Sequence, residues 1–242
     1  MASRSHQIAF LLFLALPAVR AHALTREEVE AGAARLYQER IEEARQRYEL
    51  DADPAFLGRV QRIASGLIAQ ARREQAGVDG MAWEIHTTSD PEENASCMAG
   101  GKLLIGRDYV TRLELNDAEL AMLIAHEMEH ALLQHNLLEM REALRLEPER
   151  AQQPYAALEY AVDHDESLMR KLDAFDAQQE LEADREGLLL AAHAGWPAIG
   201  LANYFRKLMR HDPSPNADRR EHPAPARRWR AAQELVKTLS SS

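Results

Sequence analysis

The chain has 242 residues, of which 46% are hydrophobic, and it contains 29 Lys and Arg, 39 Asp and Glu, and a single cysteine. This length suffices for one sizeable hydrophobic core or two small ones. A net charge of −10 without a basic block excludes a nucleic-acid binder, because affinity for phosphate backbones comes mainly from clustered Lys and Arg. One cysteine also excludes a disulfide framework and a Cys-rich zinc site, so any metal must be held by histidines and carboxylates.

The first 23 residues have the pattern of a secretory signal peptide. Arg4 and His6 precede an apolar run over residues 8–16, Pro17 ends this run, and the small residues of 21–23 suit a signal peptidase. The run is shorter than the roughly 20 apolar residues of a bilayer-spanning helix. We therefore expect residues 1–23 to be removed on export to the periplasm, and the alternative is an uncleaved anchor.

Two helices and a small sheet are predicted at the start of the mature chain. Residues 25–48 have a helical pattern that begins with a capping box, and residues 54–75 carry one apolar stripe. Alternating residues over 83–88 and an apolar run over 102–109 predict two strands, with a turn-rich stretch between them. The sheet is expected to be mostly antiparallel.

The rest of the chain is predicted to be mainly helical. Asn116 and Glu119 form another capping pattern, and the polar stretch 137–179 predicts helical hairpins or a mobile insertion. Further helices are predicted over residues 180–194, 198–209 and 226–239, and four prolines within 211–225 predict an irregular loop. The predicted fold class is α+β, mainly α, without an internal repeat.

Residues 126–130 form the pattern HExxH inside a helix whose flanking residues are mostly apolar. His126 and His130 lie one turn apart on the same face, so both imidazoles can bind one ion. Glu127 is rotated by about 100° from His126, which leaves its carboxylate beside the open position of a catalytic zinc. These buried polar groups would cost about 1–3 kcal/mol each if unsatisfied, and zinc satisfies all three. The alternative is a solvent-facing polar stripe.

A catalytic zinc needs a third protein ligand. The best candidate is Glu180, because Glu180 and Asp184 are like charges at i and i+4 whose repulsion a dication would remove. Glu180 would bind zinc, and Asp184 would accept the free ring N–H of a ligand histidine and fix its tautomer. Spacing alone does not single out this pair, because Glu182 and Glu186 have the same i, i+4 spacing. Other residues of an acceptable ligand type are His135, His164, Glu139 and Glu166.

Several segments carry a resemblance to a known family: Asn94-Ala95, Gly100-Gly101-Lys102-Leu103-Leu104-Ile105, the stretch from Glu119 through HExxH to His135, and Glu180-x-x-Ala183-Asp184-Arg185. Together they resemble the HtpX, prenyl-protein (CAAX) protease and BepA family of zinc metallopeptidases, over residues 55–235. The resemblance implies Glu180 rather than Glu182 as the third ligand. It also implies a gluzincin-type metallopeptidase domain over residues 24–242, with an edge strand near residues 101–105 that aligns the peptide.

The C-terminal segment Glu221-His222-Pro223, followed by Arg227-Arg228, is similar to the family's His-Pro…Arg segment, which lies near the site. The resemblance implies that His222 either blocks the fourth zinc position in a resting state or stabilises the oxyanion, and a surface-loop histidine is the alternative. HtpX and the CAAX proteases span the membrane several times, and BepA carries a tetratricopeptide domain. This sequence predicts neither feature, so an exported, soluble member of the family is expected.

The expected function is that of a zinc endopeptidase with one zinc per chain, held by His126, His130 and Glu180. Glu127 would take a proton from the zinc-activated water and pass it to the leaving amine. By resemblance, the substrates would be misfolded or misassembled cell-envelope polypeptides, since an edge strand binds backbone rather than particular side chains. Peripheral contact with the outer membrane or its assembly machinery is a further expectation.

Two other classes of protein remain open at the level of sequence. One is a non-catalytic periplasmic chaperone or adaptor, whose zinc is structural because a fourth protein group closes the site. The other is a helical envelope scaffold without a metal. Cys97, within the turn-rich stretch, is expected to be an inert small residue.

Overall fold

A computed structural model of the protein describes residues 24–75, 78–218 and 222–241, and the predicted signal peptide of residues 1–23 lies outside them. Within these ranges the secondary structure consists of helices, three strands, and 3₁₀ turns at Val78–Gly80 and Pro148–Gln152. The helices are α1 (Arg26–Gln46), α2 (Pro54–Glu74), α3 (Arg107–Arg112), α4 (Asp117–Leu132), α5 (His135–Leu146), α6 (Tyr155–His164), α7 (Glu166–His193), α8 (Ala198–His211) and α9 (Pro225–Ser240), and the strands are β1 (Glu84–Thr88), β2 (Ala95–Met98) and β3 (Lys102–Gly106). The α+β, mainly α, fold class is confirmed.

Both predicted capping boxes are present. At the start of α1, the Thr25 hydroxyl accepts the backbone N–H of Glu28, whose carboxylate accepts the backbone N–H of Thr25. Asn116 and Glu119 make the same reciprocal pair at the start of α4, with N···O distances of 2.9–3.1 Å. Each box satisfies two backbone donors that a helix start otherwise leaves free. The α4 box therefore fixes the first turn of the helix that carries HExxH.

The sheet is mixed, with strand order β1-β3-β2. Strands β2 and β3 form an antiparallel hairpin whose turn contains Gly100 and Gly101, both at positive φ, while β1 pairs with β3 in parallel. The expectation of a mostly antiparallel sheet thus holds for one pair of strands and not for the other. The placement of the edge strand at residues 101–105 is wrong, because β3 is paired on both sides. The edges of the sheet are β1 and β2.

The stretch 137–179 is helical and not a mobile insertion. It contains α5, α6 and the first half of α7, which begins at Glu166 rather than at the predicted residue 180. The Asp165 carboxylate accepts the backbone N–H groups of Ser167 and Leu168 and so caps this helix. Leu168 and Leu172 are fully buried in a small second core with α5 and α6. This local core makes α7 continuous over 28 residues.

Helix α4 lies at the centre of the main core, where α2, α7, α8 and β2 pack around it. Its residues are buried on nearly all sides, as the apolar flanks of HExxH predict. Helix α7 approaches α4 closely at Gly187, where an added Cβ would lie only 2.8 Å from the backbone nitrogen of His126. Such a distance is below van der Waals contact, so a side chain here would force the two helices apart.

No helix in the described ranges is both long enough and apolar enough to cross a membrane.

Candidate metal centre

The two histidines of HExxH face the same point from successive turns of α4. His126 is 2% exposed and His130 is partly buried, and their Nε2 atoms lie 3.3 Å apart. Their rings meet edge-on, with centroids 4.9 Å apart. Since neighbouring turns of one rigid helix hold both rings, this separation is set by the helix itself.

The third predicted ligand, Glu180, reaches the same point from α7. One carboxylate oxygen lies 3.5 Å from His126 Nε2 and the other lies 3.2 Å from His130 Nε2. A tetrahedral zinc with bonds of about 2.0–2.1 Å separates its ligand atoms by about 3.3 Å. The Nε2–Nε2 separation is close to this value, and so is the separation of each histidine from one of the two Glu180 oxygens. With one ligand atom from each residue, all three atoms lie within 4.8 Å of one another, so His126, His130 and Glu180 can converge on a zinc ion and have suitable ligand types.

Four of the other residues considered as ligands lie away from this point. Glu182 is half exposed, and Glu186 pairs with the adjacent Arg185. Glu166 on α7 and His164 on α6 are both exposed. Among the described residues, the His126–His130–Glu180 group is the set of His, Cys, Asp and Glu side chains that can converge on one ion. The choice between Glu180 and Glu182, which spacing left open, is thereby made in favour of Glu180.

Asp184 lies where the sequence places it, beside the second ring nitrogen of His126. Its Oδ1 is 3.0 Å from His126 Nδ1. Arg228 from α9 donates two hydrogen bonds to the same carboxylate, at 2.7 and 2.6 Å, and is itself 5% exposed. Burial raises the pKa of Asp184, but Arg228 and His126 outweigh burial and hold it below its usual range. The ionised carboxylate can therefore fix the His126 tautomer that leaves Nε2 free for the metal.

Glu127 lines the cleft beside the two histidines and is partly buried. This cleft has a volume of about 640 Å³ and runs between β2, α4 and the His222 segment. Burial raises the pKa of Glu127, although the two histidines oppose this effect. A carboxylate with a raised pKa holds a proton more readily near neutral pH than an exposed glutamate does.

His222 borders the same cleft, in the proline-rich segment before α9. Its Nδ1 lies 2.6 Å from a Glu180 carboxylate oxygen, while its side chain is 48% exposed. Burial raises the pKa of Glu180, but His126, His130 and His222 together bring it well below its usual value. The structure therefore brings His222 to the predicted metal ligand rather than leaving it on a remote surface loop. Its role in blocking or in oxyanion stabilisation stays a prediction.

Two further residues belong to this centre although the sequence patterns predict no specific role for them. His135, considered only as a substitute ligand, lies with its Nδ1 3.1 Å from His130 Nδ1. Arg228, quoted only within the C-terminal segment, anchors Asp184. The signal for Arg228 is an arginine placed shortly after a His-Pro pair, and the signal for His135 is a histidine five residues after HExxH. Cys97 lines the cleft, but burial raises the pKa of its thiol well above the usual value, which favours the inert form.

The sequence comparisons agree with this geometry. Peptidase family M48 matches residues 54–236, and the chain belongs to this family. The chain is also similar to the protein named "Mitochondrial metalloendopeptidase OMA1" from Arabidopsis thaliana, with 27% identity over 140 residues. The matched stretch covers 58% of this chain but only 28% of that relative. Family and site together define a zinc metallopeptidase, whose His126, His130 and Glu180 would hold the ion.

An acidic cavity of about 390 Å³ adjoins the cleft and shares His130, Glu180 and His222 with it. Glu139 and Asp176 face this cavity from α5 and α7. Burial and the neighbouring carboxylates raise the pKa of Glu139 to about 8, and burial with Asp173 raises that of Asp176 to about 7. Near neutral pH these groups retain protons that they would lose in the unfolded chain.

This raised pKa predicts a pH-dependent effect of Glu139→Gln. Because the folded pKa lies above the unfolded value, the contribution of Glu139 is fully present below pH 4.5 and is lost as the pH rises through about 8. Gln resembles the protonated acid, so the variant should exceed the wild type's free energy of unfolding by less than about 1 kcal/mol at pH 5 and by about 4–5 kcal/mol at pH 9. Urea unfolding of the zinc-loaded proteins at both pH values measures this difference.

Glu142→Gln on the same helix is the control, because Glu142 pairs with Arg145 and its pKa is lowered. This control should show no gain between pH 5 and pH 9. An equal gain for both variants would contradict the assignment of the effect to the cavity.

Proposed function

We propose that the protein is an exported endopeptidase that cleaves misfolded or misassembled polypeptides of the cell envelope. The observation that carries the proposal is the convergence of His126, His130 and Glu180 at the floor of a cleft that is open to a chain: the two Nε2 atoms lie 3.3 Å apart, and each lies 3.2–3.5 Å from one oxygen of the Glu180 carboxylate. A relative whose name describes a metalloendopeptidase supports cleavage within a chain. The envelope as the source of substrates rests on the N-terminal sequence and on the family resemblance alone.

The zinc ion and the side chains of the protein would supply different parts of the peptide-bond hydrolysis. When bound, zinc supplies a polarised scissile carbonyl and a water whose pKa is lowered towards about 7. Glu127 receives the proton of the attacking water and transfers it to the departing amine. Asp184, held by Arg228, keeps the proton of His126 on Nδ1. His222 lies at the cleft beside Glu180, where its exposed ring can meet the substrate carbonyl.

Strand β2 supports an extended substrate along the cleft. It is an edge strand, and residues 94–98 line the cleft opposite the histidines. The Gly106 N–H bonds to the Asn94 carbonyl at 2.8 Å, so these two residues form a hydrogen-bonded pair in the β2–β3 ladder. Because such pairs alternate along an antiparallel ladder, Ala95 and Cys97 direct their N–H and C=O groups away from β3. A substrate backbone can pair with these groups as an added strand.

The cellular setting is part of the proposal. Residues 1–23 have the pattern of an export signal, which supports a periplasmic location for the mature domain of residues 24–242. Contact with the outer membrane or its assembly machinery would then bring the enzyme to its substrates. The acidic composition offers no basic patch for anionic lipid, so such contact would involve protein.

Replacing Glu127 by Gln separates catalysis from metal binding. The variant should retain one zinc per chain but lose casein cleavage by at least about 100-fold, because Gln cannot accept the water proton. His126→Ala should lose both zinc and cleavage. Zinc content and the rate of casein cleavage are measured on the same preparations.

Glu129→Gln is the matched control, since Glu129 lies on the same helix, is 1% exposed and lines neither the cleft nor the acidic cavity. This variant should cleave casein at the wild-type rate. Full activity of Glu127→Gln would show that another group takes the proton. A zinc-loaded wild type without cleavage would favour the non-catalytic chaperone or adaptor.

Ala95→Pro tests pairing of the substrate with β2. Proline removes the outward N–H of Ala95 and leaves the ladder bonds to β3 in place. The loss of one backbone hydrogen bond to the substrate, about 0.5–1.5 kcal/mol, should lower kcat/KM on an unfolded polypeptide by about 3–10-fold. Unfolding by urea should be nearly unchanged.

Ser96→Pro is the contrasting variant, because Ser96 bonds inward to β3 at the position of Leu104. It should destabilise the fold measurably. If Ala95→Pro cleaves as fast as the wild type, the substrate does not pair with this edge.

A further inference from the structure

His135 is the first residue of α5 and lies directly against the metal-site histidine of α4. The preceding residue, Gln134, has a left-handed backbone conformation with φ of 61°, which turns the chain sharply after α4. The His135 ring packs edge-on against the His130 ring, with ring centroids 4.9 Å apart and an interplanar angle of 79°. His135 is 2% exposed, so its ring is held inside the protein at this contact.

The contact joins two nitrogens that cannot both carry a proton. His130 Nε2 faces the metal position, 3.2 Å from Glu180 and 3.3 Å from His126. A histidine that binds a metal through Nε2 keeps its proton on Nδ1, and this N–H needs an acceptor. The hydrogen-bond partner of His130 Nδ1 is His135 Nδ1, at 3.1 Å. His135 must therefore present a lone pair at Nδ1 and carry its own proton on Nε2.

We propose that His135 is a positioning residue that accepts the Nδ1–H of His130 and thereby holds His130 in the tautomer and orientation that bind zinc. This inference rests on the zinc site of the proposed function, but not on the identity of the substrate. Each ligand histidine of α4 then has its own partner: a carboxylate for His126 and a neutral imidazole for His130.

Helix α7 supports this arrangement through the backbone of His135. Gln179, which directly precedes the ligand Glu180, donates its side-chain N–H to the His135 backbone carbonyl at 3.2 Å. On the other side of the ring, His135 Nε2 has no hydrogen-bond partner among the described residues, and Glu182 Oε2 lies 3.7 Å away, beyond hydrogen-bonding distance. The same turn of α7 thus provides a zinc ligand and fixes the backbone that carries His135.

The test compares His135→Leu with His135→Asn. The two side chains have nearly the same size and branching, but only Asn keeps an acceptor, with its oxygen near the position of His135 Nδ1. Zinc dissociation constants are measured by chelator competition in a Glu127→Gln background, so that neither self-cleavage nor the rate of hydrolysis affects the result. We expect Leu to weaken zinc binding about 10–100-fold and Asn to restore it to within about threefold of the parent.

Urea unfolding of both zinc-loaded variants shows whether each is folded. Two results would overturn the proposal: zinc affinity in the Leu variant equal to that of the parent, or equal loss in Leu and Asn variants that are both folded. The second result would assign His135 a purely structural role.

A spectroscopic measurement tests the tautomer without any substitution. Long-range ¹H–¹⁵N spectra of the zinc-loaded protein should show His135 protonated at Nε2 and unprotonated at Nδ1, and His130 with the reverse pattern. A proton on His135 Nδ1 would overturn the proposal. Failure of the wild type to cleave casein, with this pattern present, would overturn the proposed function and leave the role of His135 intact.

Discussion

The metal centre depends on the close approach of α4 and α7. His126 and His130 are held by one helix, but the third ligand comes from another helix about fifty residues further along the chain. Glu180 reaches the two rings because Gly187, two turns later on α7, carries no side chain that would touch the backbone at His126. The contact is rigid, since both helices are packed into the same core. The convergence of the two imidazoles and the Glu180 carboxylate on one point follows from this packing.

The close packing of α4 and α7 also buries the carboxylates of Glu180 and Asp184, and surrounding residues compensate for their negative charge. Asp184 and Glu180 are both nearly inaccessible, and an unpaired carboxylate in such a place would cost several kcal/mol. Arg228 offsets Asp184 through two hydrogen bonds, while the histidines and the expected dication offset Glu180. Arg228 belongs to α9, directly after the His222 segment. Helix α9 therefore stabilises the catalytic centre and also places His222 at its entrance.

The sequence predicts best what depends on local spacing. The HExxH pair and the capping boxes follow from residues within one or two turns, and the structure has them as expected. Spacing could not choose Glu180 over Glu182, because that choice depends on how two helices pack, and the family resemblance supplied it. The sequence does not indicate the parallel pairing of β1 with β3, because β2 lies between these two strands in the chain and pairs with β3 as a local hairpin. The role of His135 depends on a left-handed turn that no residue pattern at Gln134 indicates.

His126, His130 and Glu180 are expected to bind one zinc ion and to leave a coordination position for water. This coordination can be measured by X-ray absorption at the zinc edge of the purified, zinc-loaded protein, together with its zinc content. We expect about one zinc per chain, with nitrogen and oxygen neighbours at about 2.0–2.1 Å and outer-shell scattering from two imidazoles. A sulfur neighbour at about 2.3 Å, or scattering from fewer than two imidazoles, would contradict it.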